Sequence, residues 1–176
     1  MIIRNAGMLT TVQDSGRFHY QQYGVMASGA MDQVAMRIAN ILVGNPRDTA
    51  VLEMTVMGAS MEFDQTNIVA ITGADMHPTI DGRPVPMYAA VLVQRGETLT
   101  LGTCQQGMRT YVAFAGGLEI PIVMGSQSTL LRAGFGGYQG RKLKAGDEIA
   151  FTRPVQTLPK WELRSVGIEV LVSKEV

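Results

Sequence analysis

One segment of this chain carries a clear helical period, and almost everything else is broken into short apolar runs. In SGAMDQVAMRIANILVGNP, residues 28–46, the apolar positions Val34, Ala35, Ile38, Ala39, Leu42 and Val43 recur at i, i+3, i+4 and i+7. Ser28 or Asp32 can cap its start, Gly44 or Asn45 its end, and Pro46 prevents continuation. The spacing predicts a helix over about 32–43. The remaining runs are β-branched or alternating and end at turn residues: Val51–Val56, Ser60–Phe63, Ile68–Ile71, Ala89–Val93, Thr98–Leu101, Thr110–Ala115, Glu148–Phe151 and Gly167–Val172. Asp81-Gly82, between Thr79-Ile80 and Pro84-Val85-Pro86, is a hairpin signal. Many short strands with one helix predict a mainly β chain closed, or nearly closed, into a barrel.

Two of these strands open alike. Arg95-Gly96-Glu97-Thr98 and Ala145-Gly146-Asp147-Glu148 each place a glycine and an acid before an alternating run, which reads as a recurring structural corner. No linker, charge run or low-complexity stretch divides the chain, so residues 1–176 read as one β-rich domain. Its 46% hydrophobic content is enough for a real core. Fifteen basic residues balance fifteen acidic ones, which leaves no electrostatic footprint for nucleic acid or for a membrane surface. The single cysteine, Cys104, rules out an internal disulfide framework and fits a reducing compartment. The first residues lack a signal-peptide h-region, and no apolar run is long enough to span a bilayer, so the expected location is cytoplasmic. His19 and His77 stand far apart and cysteines are not paired, which disfavours a zinc site; carboxylate-bound magnesium asks less of a protein and stays open.

The stretch RAGFGGYQGRKLKAGD, residues 132–147, invites a nucleotide reading that its spacing rejects. Counted from Gly134, the third glycine of a dinucleotide fingerprint falls on Gln139, no helix follows, and no Gly-Lys-Ser/Thr occurs. Two readings survive: a tight turn for close strand packing, or a backbone nest whose N–H groups converge on an anion, flanked by Arg132 and Arg141. Asp14 and Arg17, three apart in TVQDSGR, can form a local ion pair, or serve as proton acceptor and anion clamp. Asp75 follows the apolar strand ending in Thr72-Gly73, where a side chain can project into a barrel mouth. Ser126, Ser128 and Thr129 have no histidine near them in sequence, so nothing argues for a serine triad.

In their order, TVQDSGR, YGVMASGAMD, RIANILVGNP, LEMTVMG, ITGADM, DGRPVPM, AFAGGLEIP, VMGSQST, LRAGFGG and GRKLKAGD resemble the biotin-dependent carboxyltransferase-like family. That family includes the bacterial 5-oxoprolinase subunit designated C, the antagonist of the Kip histidine-kinase inhibitor, and the second subunit of proteins described as allophanate hydrolase. The resemblance runs from about Met1 to Phe151. It implies a cyclophilin-like β-barrel, and, because family members are longer, that this chain is the N-terminal half of such a member. It implies a Kip-inhibitor-like partner and, in 5-oxoprolinase, a third subunit. The implied activity is ATP-dependent hydrolysis of 5-oxoproline to glutamate, with ATP and magnesium as co-substrate and no activity for this subunit alone. The alternatives it implies are carboxyl transfer to urea or a related amide from a separate biotin carrier, since no Met-Lys-Met acceptor occurs here, and antagonism of a kinase inhibitor. On the first reading Arg17 and Arg132 contact anionic groups, and the N–H groups of Gly134, Gly136 and Gly137 form an oxyanion or phosphate nest. Asp14 or Asp75 then acts as a base or holds magnesium.

Overall fold

The structure, a computed structural model, describes residues 1–153, so the run Gly167–Val172 lies outside the described residues. The described part is mainly β with one α-helix. Its strands are β1 (Ile2–Asn5), β2 (Leu9–Gln13), β3 (Val51–Thr55), β4 (Ser60–Glu62), β5 (Asn67–Gly73), β6 (Thr79–Ile80), β7 (Arg83–Pro84), β8 (Ala90–Val93), β9 (Thr98–Thr100) and β10 (Arg109–Phe114), and α1 is Gln33–Leu42. They form two antiparallel five-stranded sheets, ordered β1-β4-β9-β6-β7 and β2-β3-β10-β5-β8. The two sheets enclose one core without a continuous ring of strand pairing.

The second sheet is buried on both faces. Leu52, Met54, Val69, Ile71, Val112 and Phe114 point inward, where Phe114 meets Phe63 and Phe151 with ring centroids 6.2 and 5.7 Å away. Val51, Ile68, Ala70, Tyr111 and Ala113 point the other way, against Ala35, Met36, Ala39 and Leu42 of α1. The period of two along each strand thus serves two cores at once.

The helix has the expected ends. Asp32 Oδ1 accepts from the N–H groups of Val34 and Ala35 at 3.0 and 2.9 Å. At the other end Gly44 adopts φ 76°, its N–H bonding Ile41 O while Asn45 N–H bonds Asn40 O, a Schellman closure that glycine permits. The buried face is rotated from the expected one: Val34 is 63% exposed, whereas Met36 and Asn40 are fully buried. Asn40 is drawn in because its Nδ2 donates to the carbonyls of Arg47 and Thr49, which fold the chain back toward β3. Tyr111 ties the helix to the sheet, its hydroxyl accepting from Asp32 N–H at 2.7 Å. Burial pushes that phenol well above its ordinary pKa, so it remains protonated.

The strands differ from the expected set in two places. β1 and β2 are not separable from loop by alternation, yet they form and pair with β4 and β3. Glu148–Phe151 is not a strand. Its residues make single bridges, Ile2 with Glu148 and Leu118 with Phe151. The Asp81-Gly82 hairpin forms as read, with both residues at positive φ and Ile80 opposite Arg83.

The two glycine–acid corners use the same bonds. In the first, Gly96 N–H bonds Phe63 O, Phe63 N–H bonds Glu97 O, and the Glu97 carboxylate accepts from Gln94 N–H. In the second, Gly146 N–H bonds Ile3 O, Ile3 N–H bonds Asp147 O, and the Asp147 carboxylate accepts from Lys144 N–H. An arginine grips each acid: Arg83 holds Glu97, and Arg141 holds Asp147 through two bonds of 2.7 and 2.8 Å.

The Arg141 bonds hold the Asp147 carboxyl below the usual carboxylate range, against an opposing effect of burial. A carboxyl whose folded-state pKa is depressed stabilises the fold above its unfolded value, about 3.9, and loses that contribution as pH falls through the folded value. Arg141→Gln should therefore be less stable than wild type at neutral pH by about 1 kcal/mol. The gap should close well below about pH 4. Urea unfolding at both pH values measures it.

Candidate functional site

Asp14 follows the last residue of β2, whose outer edge is covered by the segment Ser126–Thr129. Thr129 N–H bonds Val12 O at 2.9 Å, and Asp14 N–H bonds Ser128 Oγ at the same distance. The Asp14 carboxylate closes this seam. Its Oδ1 accepts from Gly16 N–H and from the hydroxyls of Ser126 and Ser128, at 2.8, 2.7 and 2.5 Å, and its Oδ2 accepts from Gln127 N–H at 2.6 Å. Four donors on an 8% exposed carboxylate make a latch between two loops more than 100 residues apart in sequence.

Arg17 lies on the same seam and is 0% exposed. Its Nε and Nη2 donate to the carbonyls of Val123 and Ser128, both at 3.0 Å, and its guanidinium lies 4.8 Å from the centroid of the Phe135 ring. Among the described residues neither Asp14 nor Arg17 forms an ion pair, so the local salt bridge is not made. Arg17 Nη1 is buried without a hydrogen-bond partner, an unusual condition for a charged donor.

The glycine cluster packs over this guanidinium. Gly134, Gly136, Gly137 and Gly140 all have positive φ. The amide of Gly134 is donated to Leu130 O and that of Gly137 to Gln127 O, so two of the three amides expected to form a nest already have partners. The glycines chiefly allow close approach: a Cβ on Gly136 would stand 2.7 Å from Arg17 Nη2 and collide with Ser128 O. Arg141, expected to add charge to the nest, is instead held by Asp147. Arg132 is exposed. Beside the cluster is a cleft of about 340 Å³ walled by Glu119, Pro121, Val123, Phe135, Gly136 and Tyr138. Arg17 stands behind three of those residues.

Asp75 is placed elsewhere. It follows β5 and lines a larger cleft, about 920 Å³, together with Pro78, Val85, Met87 and Tyr88. Its Oδ1 accepts from His77 N–H at 2.7 Å, and its Oδ2 lies 3.5 Å from His77 Nδ1. His77 and Tyr88 both have positive φ, at 49° and 56°, and such strain in non-glycine residues concentrates at functional sites. Tyr88 braces the strand end, its hydroxyl accepting from Gly73 N–H and donating to Gly73 O. Sequence reasoning singles out Asp75 but not its imidazole neighbour. The signal available is Asp75-Met76-His77 directly after a strand.

Thus Asp14, Arg17, Gly136 and Gly137 are brought together, Gly134 and Arg132 stand toward solvent, and Asp75 belongs to a second cleft. Among the described residues no group of three or more His, Cys, Asp or Glu side chains converges to hold a metal ion. No helix there is long and apolar enough to cross a membrane.

The likeness to known proteins extends over nearly the whole chain. It is 42% identical over 171 residues to the Escherichia coli 5-oxoprolinase subunit designated C, covering 97% of this chain and 54% of that protein. It is 37% identical over 175 residues to urea amidolyase of Saccharomyces cerevisiae, covering 96% of this chain and 10% of that one. The crystal structure of K. lactis urea amidolyase superposes with a TM-score of 0.85 at 34% identity, over 93% of this chain and 10% of its own. The chain therefore spans about half the length of the 5-oxoprolinase subunits it matches, and a small part of the amidolyases. These likenesses agree with the cyclophilin-like architecture of the two sheets. Residues 23–174 match the carboxyltransferase domain, subdomains A and B, and the chain is a member of that family.

Proposed function

We propose that this chain is a component of a cytoplasmic ATP-dependent 5-oxoprolinase, acting with a Kip-inhibitor-like subunit and a third subunit to hydrolyse 5-oxoproline to glutamate. The observation that carries this reading is the 42% identity to the Escherichia coli 5-oxoprolinase subunit across 97% of the chain. The described donor set does not fit ATP and magnesium: the amides of Gly134 and Gly137 are engaged and no metal-binding cluster forms. In this reading the nucleotide and its metal are held by the other subunits. This chain contributes Arg132 as a solvent-facing anion contact and Arg17 as a buried positive charge behind the smaller cleft. Asp75 supplies a carboxylate to the larger one. A second reading, carboxyl transfer to urea or a related amide, is favoured by the likeness to urea amidolyase, and its biotin carrier would come from another chain or domain.

The test is 5-oxoproline-dependent ADP release by the three proteins purified together, with and without this chain. Release should require all three, and Arg132→Ala should reduce it by about two orders of magnitude with the fold intact. A stable complex that releases no ADP would overturn the 5-oxoprolinase reading in favour of carboxyl transfer.

A further inference from the structure

The larger cleft differs from the smaller one in its charges, and the difference bears on what it can hold. Among the described residues its lining includes the Asp75 carboxylate and the His77 imidazole, each 59% exposed, and the Tyr88 phenol, and no arginine or lysine lines it. The two arginines nearest in sequence to its walls are engaged elsewhere, Arg83 with Glu97 and Arg109 with Glu53. The remaining polar side chains in the lining are uncharged. Gln106 offers an amide with both donor and acceptor, and Thr79 a hydroxyl. The walls are largely apolar, supplied by Pro78, Pro84, Val85, Pro86 and Met87, and a few polar groups on apolar walls are what a small-molecule site requires.

The carboxylate is held in place. Gly73 and Ala74 are fastened to β10, with Ala74 N–H bonding Arg109 O at 2.8 Å and Thr110 Oγ1 bonding Ala74 O at 2.6 Å. Tyr88 secures Gly73 from the other side. Asp75 Oδ1 is occupied by His77 N–H, while among the described residues Oδ2 has only the imidazole at 3.5 Å, beyond a hydrogen bond. A carboxylate oxygen with spare lone pairs thus stands on a rigid strand end beside a cleft without a cation.

We propose that this cleft binds the uncharged amide end of a lactam or urea-type ligand. The ligand N–H is accepted by Asp75 and its C=O is met by the Gln106 amide. The ligand's negative charge, where it has one, gains no partner from the described residues that line this cleft. This deepens the 5-oxoprolinase reading and rests on it only for the identity of the natural ligand. For 5-oxoproline the division is definite: this cleft recognises the N–H–C=O edge, and a cation outside its described lining must receive the carboxylate.

The chain has two histidines, His19 and His77, and His19 is not among the lining residues of this cleft, so imidazole NMR reports the site with an internal control. The 176-residue chain would be titrated at about pH 8, above the ordinary imidazole range, with 2-pyrrolidinone, 5-oxoproline and cyclopentanecarboxylate. The neutral lactam should shift the His77 resonances saturably and leave His19 unmoved. 5-Oxoproline should bind about tenfold more weakly, because its carboxylate approaches Asp75 without a countercharge. Cyclopentanecarboxylate should shift neither histidine. Asp75→Asn should bring the two lactams to within about twofold of each other. Absence of a saturable lactam shift at His77, or binding of the carboxylate as tight as that of the lactam, would overturn the proposal. The two readings fail separately. Lactam binding without ADP release by the complex would remove 5-oxoproline as substrate and leave the amide site. ADP release without lactam binding would do the reverse.

Discussion

Asp14→Ala should destabilise the fold by about 3 kcal/mol or more, measured by urea unfolding followed by circular dichroism. The substitution leaves the amides of Gly16 and Gln127 without acceptors in a part-buried seam, and frees two serine hydroxyls that now converge on one oxygen. Each orphaned amide costs about 1–3 kcal/mol. The seam also positions Ser128 O, which accepts from Arg17, so the buried guanidinium loses a partner if the loops part. A role confined to proton transfer predicts otherwise: Asp14→Ala would then lose activity and keep its stability. Unchanged stability would remove the latch and leave Asp14 a candidate base.

Gly136→Ala should cost about 3 kcal/mol or more, and Gly134→Ala only about 1 kcal/mol, although the two glycines share nearly the same φ. Their φ values are 69° and 67°. An alanine at either incurs the left-handed penalty. Only at 136 does the new methyl meet something, Arg17 Nη2 at 2.7 Å and the Ser128 carbonyl, while nothing stands within 4 Å of a Cβ at 134. The difference between the two variants therefore isolates close packing from backbone strain. Equal losses, measured under the same denaturant conditions, would show that the glycines serve backbone conformation alone.

Local signals in the sequence locate the elements whose cause is local. The helix is legible because its period, the Asp32 cap and the Gly44 exit all lie within one segment. The Asp81-Gly82 turn needs only two residues able to take positive φ. β1 and β2 are not legible, because in IIRN and LTTVQ burial does not alternate with polarity: Thr10, Thr11 and Gln13 are all buried, Thr10 bonded to Ala6 and Leu143 and Gln13 to Thr129. The rotation of α1 is hidden for a similar reason. Asn40 is buried to satisfy carbonyls of the following loop, and a hydropathy pattern ranks asparagine as a surface residue.

At the candidate site the sequence exposes residue types and conceals their partners. Asp14 and Arg17 stand out as opposite charges three apart, which suggests that they meet each other. Each is instead bound to a segment more than 100 residues away, a relation that spacing cannot carry. Spacing alone rejects the glycine cluster as a nucleotide loop, but only the tertiary packing shows Gly136 lying against Arg17. Asp75 is singled out from its place after an apolar strand. His77 is not singled out because its hydrogen bond to Asp75 uses the backbone N–H, which residue type does not signal.

The paired glycine–acid corners carry a kinetic consequence. They make the same bonds, yet the partners joined in the second, Ile3 and Asp147, are roughly four times as far apart along the chain as Phe63 and Glu97 in the first. Loop closure for the second therefore costs about 1.2 kcal/mol more in chain entropy for an equal return. The corner at Gly96 can form while much of the chain is still unstructured. The corner at Gly146 becomes favourable only after β1 is already paired with β4, so the two ends of the described chain should be the last parts to lock and the first to release.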